Sequence, residues 1–172
     1  MDITKIDLTN FTHCTENEYI ETEYEQNNES WDIKPKAIWL APNNDWIEWC
    51  TSSGIWPHYY HYQYIIDTIE IDRILLIDSM RDIKLFIKNY GIVFTGSEEC
   101  KFYRIDWEKV AQDYAGIYIN RNNLYCKINM SLIYSLDVIS LAIWDPTVVK
   151  FKLLRHNPNG FDDSDELSSE SV

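Results

Sequence analysis

Five side chains in this sequence carry chemistry that a ligand site can use, and they come from three distant stretches: His13, then Trp39 and Trp46, then Asp137 with Ser140. His13 follows the alternating run KIDLTNF. An imidazole at the end of a strand can hydrogen-bond a ribose hydroxyl or act as a general base; the plainer reading is a surface or half-buried histidine with no role. Asp137 stands just before the apolar run VISLAIW, which contains Ser140. A carboxylate at a strand edge can orient a ribose hydroxyl or stabilise positive charge developing at an anomeric carbon, whereas a turn aspartate does neither. Trp39, Trp46 and Trp49 fall within eleven positions of KPKAIWLAPNNDWIEWC, residues 34–50. Such rings can stack a nicotinamide or an adenine; at helical spacing they more often pack as core.

Other reactive types offer less. His58 and His61 would share a face on a helix, but on a strand they point to opposite sides, and no third ligand follows at useful spacing. Cys14, Cys50, Cys100 and Cys126 match no metal or disulfide spacing and read as free thiols. With five glycines in the chain there is no phosphate loop and no dinucleotide fingerprint.

The elements that must position these groups are short. Lys5 to Phe11 alternates like a strand, and Ala37 to Ala41 reads as a buried one. Asn43 or Asn44 caps a helix with Trp46, Trp49 and Cys50 on one face and Gly54 at its end. A strand feeding a helix N-terminus leaves unpaired N–H groups pointing outward, an anion-ready corner. Tyr62 to Ile71 and Arg73 to Ile77 follow as strands. Ser79 with Asp82 forms a capping-box-like pair for a helix with the stripe Ile83, Phe86, Ile87 and Tyr90. A hairpin or strand is expected within Gly91 to Arg104. Asp106 caps a third helix bearing Trp107, Val110, Ala111 and Tyr114. Strands are expected at Gly116 to Asn120, Leu124 to Met130, Val138 to Trp144 and Val148 to Leu154, with NRNN at 120–123 as a turn. Strands outnumber helices and do not alternate with them. The fold class is therefore α+β: antiparallel-rich sheet with about three short helices.

The chain has 172 residues, 45% of them hydrophobic, which suits one domain with its own core. Residues 1–156 are expected to form that domain, and 157–172 a disordered acidic tail. Seven acids and no Lys or Arg occupy residues 16–32, and five more acids follow Asn157. Setting these twelve aside leaves 16 acids against 15 bases, so two segments carry the net charge of −13. The body lacks the basic face of a nucleic-acid-binding domain. The acidic loop and tail either stay solvated or meet a protein partner. No apolar run approaches the ~20 residues of a membrane helix. MDITKIDLTN lacks the character of a signal peptide, so a cytoplasmic location is expected.

The order of these pieces resembles a group of small proteins from bacteria and giant DNA viruses with an ADP-ribosyltransferase-like fold. The resemblance rests on Phe11-Thr12-His13-Cys14-Thr15, on Lys34 to Cys50, on Ile105 to Ile119 and on Leu136 to Pro146, roughly half of the chain. It implies a split sheet and NAD as ligand. His13 would bind a ribose, with Trp39, Trp46 and Ser140 along the nucleotide pocket and Asp137 serving the nicotinamide ribose. A viral member would act in the host cytoplasm. The sequence also departs from the group. Cys14 replaces a tyrosine, Ala37 a glycine and Ala41 a serine, and Leu141 replaces the glycine after Ser140. Two readings follow: a degenerate, non-catalytic interaction module, or an active NAD-dependent ADP-ribosyltransferase modifying a macromolecule.

Overall fold

The computed structural model describes residues 6–21, 24–26, 33–55, 57–97, 100–124, 132 and 135–161. Nine strands are described: β1 Phe11–Thr15, β2 Ile38–Pro42, β3 Tyr62–Ile69, β4 Ile74–Ile77, β5 Gly91–Ser97, β6 Cys100–Ile105, β7 Gly116–Ile119, β8 Ser140–Ile143 and β9 Val149–His156. Three helices can be delimited among the described residues: α1 Asp45–Ser52, α2 Met80–Tyr90 and α3 Trp107–Asp113. Seven strands form one sheet in the order β4-β7-β8-β2-β1-β3-β9, and β5 pairs with β6 alone. The architecture is α+β. All pairings are antiparallel except β4 with β7. A parallel pair needs a long crossover, and here α2, the β5–β6 hairpin and α3 supply it.

Alternation along the strands builds two cores. Ile117 and Ile119 of β7 and Ala142 of β8 face the helical side, where Ile83, Phe86, Trp107 and Val110 of α2 and α3 cover them. Tyr118, Leu141 and Ile143 face the other side, beside Ile38 and Leu40 of β2 and Phe11 of β1. This period of two is what a pleated strand imposes. Ile20 and Tyr24 of the acidic segment pack against this second core, so that part of the segment is anchored. Gly116 is tight because a Cβ there would come within 2.7 Å of the Ala142 carbonyl oxygen.

The predicted caps of α2 and α3 are present: Ser79 accepts from the Asp82 amide, and Asp106 from that of Lys109. Other expectations move. The first strand lies at Phe11–Thr15, not Lys5–Phe11, because Asp7 turns the chain by accepting from the Thr9 amide and hydroxyl. α1 buries Ile47 and Cys50, while Trp46 and Trp49 stack on each other beside that stripe, centroids 5.0 Å apart. The expected boundary at residue 156 also shifts. Asn157 donates to His61, and Phe161 is fully buried. The expected strand at Leu124 to Met130, beyond Leu124 itself, and the tail from 162 fall outside the described residues. Among the described residues, no helix is long and apolar enough to cross a membrane.

Candidate functional site

The seven-stranded sheet is split at its centre. β1 and β2 pair only through Phe11 with Pro42 and Thr12 with Ala41. Beyond that point β1 follows β3, through Thr12 to Thr15, and β2 follows β8, through Ile38 to Leu40. The gap leaves His13 facing β2 without a backbone partner there. Its ring fills that role: Nδ1 lies 2.9 Å from the Trp39 carbonyl oxygen. A carbonyl can only accept, so Nδ1 carries the proton. Burial lowers the His13 pKa, and the bond to Trp39 only partly opposes this. The ring is therefore neutral, with Nε2 left as an acceptor.

A cavity of about 300 Å³ opens at the split. His13, Trp39, Trp46, Asp137 and Ser140 all line it, joined by Thr12, Cys14, Lys34, Ala41 and Tyr60. Trp39 and Trp46 are half-buried walls, not the centre of the core; that place belongs to Trp107 and Trp144. Trp46 is backed by Trp49, on which it stacks, and borders the cavity together with Tyr60. Ser140 donates to the Val138 oxygen at 2.9 Å and keeps its lone pairs as acceptors. Lys34 stands over the Trp39 ring, its Nζ 5.3 Å from the centroid. Partial desolvation lowers the Lys34 pKa, and the charge of Asp137 raises it in return.

The floor of the cavity is held by a buried polar network. Gln63 of β3 is fully buried and donates to the Thr12 hydroxyl at 3.0 Å and to Asn44 Oδ1 at 3.3 Å. Its own oxygen accepts from Arg155 Nε at 2.6 Å, and Arg155 Nη2 also reaches Asn44 Oδ1, at 3.2 Å. Thr12 in turn donates to the Asn43 carbonyl at 2.5 Å. Asn44 is thus spent on the network and makes no side-chain cap for α1. The anion-ready corner expected there is closed further by Asp45 and Glu48 in the first turn, where burial and Glu48 raise the Asp45 pKa.

Burial pushes the Cys14 thiol up to about 12, against the pull of Arg155. It is no nucleophile at neutral pH. His58 is not among the cavity-lining residues and lies tilted against Tyr59, ring centroids 4.6 Å apart, and His61 carries backbone bonds to Thr15 and Asn157. Sequence reasoning missed Lys34, Tyr60 and Thr12 as lining residues. Only proximity to Trp39 in KPKAIW pointed to Lys34, and nothing in the sequence pointed to Thr12. No protein-family model matches this chain, and neither a curated protein nor a solved structure does.

Proposed function

We propose that this chain is a nucleotide-binding domain of the ADP-ribosyltransferase-like class. Its cleft takes NAD or ADP-ribose and does not turn the ligand over. One observation carries the reading: His13, Trp39, Trp46, Asp137 and Ser140, from separate stretches of sequence, border one cavity at the split of the sheet. The chemistry of the lining suits such a ligand. Trp39 and Trp46 offer ring faces, and His13 Nε2 and the Ser140 hydroxyl offer acceptors for ribose hydroxyls.

The absence of turnover rests on charge. Asp137 is the carboxylate among the described lining residues, and the ammonium of Lys34 sits in its field. Cleavage of the nicotinamide bond builds positive charge on the ribose. A carboxylate already answered by a lysine stabilises that charge poorly. The methyl of Ala41, in place of a hydroxyl, adds no polar contact.

Calorimetric titration of the full chain with NAD and with ADP-ribose tests binding, and chromatography of nicotinamide tests turnover. One-to-one binding without release of nicotinamide is expected. No heat at millimolar ligand, with the protein folded, would sink the binding reading. Release of nicotinamide would overturn only the non-catalytic half and favour Asp137 as a working carboxylate.

A further inference from the structure

We infer that Lys34 makes this cleft select nucleotides whose ring beside Trp39 is uncharged or anionic, and disfavour those whose ring is a cation. The inference rests on the nucleotide reading above and narrows the ligand class of the same site.

The face of a tryptophan attracts cations because its quadrupole is negative there. In this cleft that seat is taken. Lys34 Nζ stands 5.3 Å from the Trp39 centroid, and both residues line the cavity. A ligand ring stacking on Trp39 must lie beside this ammonium or displace it. For an oxidised nicotinamide, a cation, the first choice sets two positive charges together in a partly desolvated space, and the second forfeits the lysine's own contacts. Asp137 cannot relieve the conflict freely, because its charge already interacts with Lys34. An uncharged dihydronicotinamide or an adenine meets no such repulsion. A ring bearing a carboxylate gains an ion pair.

NAD in its oxidised and reduced forms isolates the effect, since the two differ chiefly in the charge of one ring. Lys34 is exposed on a bend, so replacing it disturbs little packing. Lys34→Met keeps an apolar stem of similar length over Trp39 and removes the charge. The experiment is calorimetric titration of both forms into the full-length chain and into Lys34→Met, at low and at high salt. The wild-type chain is expected to bind the reduced form more tightly by about five- to tenfold at low salt. Salt should narrow that gap, and Lys34→Met should bring the ratio close to one. Equal affinities in the wild type, with both forms bound, overturn this inference and leave the nucleotide reading standing. A ratio unchanged in Lys34→Met overturns the role of Lys34. No binding of either form by the folded wild type overturns the nucleotide reading and this inference with it.

Discussion

The imidazole of His13 donates from Nδ1 to the main-chain oxygen of Trp39 over 2.9 Å, at the point where β1 and β2 stop pairing. A side chain there stands in for a missing rung of the sheet. The same bond fixes the tautomer and leaves Nε2 as the acceptor of a ring that lines the cavity. One residue therefore both bridges the split of the sheet and borders the cavity.

The pH dependence of stability should report this arrangement. Burial holds the His13 pKa below its ordinary value of about 6.5. The unfolded chain then binds the proton first. The stability that His13 contributes is complete above the unfolded value and is lost as pH falls through the folded one. Urea unfolding at neutral and mildly acidic pH should show that loss, and His13→Phe should flatten it. The variant should also lose about 1–3 kcal/mol at neutral pH, because the Trp39 oxygen is left without its partner. An unchanged pH slope in His13→Phe would refute the assignment.

Gln63 tests the network beneath the cavity. It is fully buried and joins Thr12, Asn44 and Arg155. Gln63→Leu conserves much of the volume but takes an acceptor from a guanidinium and a donor from Thr12. A cost of about 2–4 kcal/mol follows, larger than for a neutral hydrogen bond because one partner is charged. Chemical denaturation measures it. A loss below about 1 kcal/mol would mean that water replaces the glutamine readily.

Much of this fold could be read from local pattern. The α2 stripe and the Ser79–Asp82 cap are encoded within one stretch, and so is the short strand GIYI that forms β7. The placement of β1 failed because alternation cannot distinguish a strand from the Asp7–Thr9 turn that precedes it. The five candidate side chains were individually legible as chemistry. The split that gathers them was not, since it depends on which strand β1 follows after Thr12. The bond from Gln63 to Thr12 spans 51 positions and the one from Arg155 to Gln63 spans 92. No window of local sequence contains such pairs.

The end of the domain makes a third test. Phe161 is fully buried beneath Arg155, whose guanidinium carbon lies 4.4 Å from the ring centroid. The Phe161 amide donates to the Tyr60 oxygen at 3.2 Å, next to a cavity-lining side chain. Gly160 has φ +79°, and a Cβ there would strike the His58 backbone. A chain ending at His156 should be less stable than one ending at Phe161 by about 3–5 kcal/mol, the scale for removing a buried phenylalanine. Thermal melts compare the two. Equal melting temperatures would place the domain boundary back at His156.

Ala41 offers the sharpest test of what the cavity is for. Its side chain is buried and lines the cavity. Ala41→Ser puts a hydroxyl on an apolar wall. Without ligand, that group is poorly satisfied, and the variant should lose about 1 kcal/mol of stability. A bound nucleotide can supply the missing partner, and stability linked to binding rises with affinity. The variant should therefore melt lower than the wild type when empty, yet gain more from saturating ADP-ribose. Calorimetry should show a several-fold lower Kd alongside. If the ligand stabilises both proteins equally, the wall at position 41 does not face the nucleotide, and the ligand lies elsewhere in the cleft.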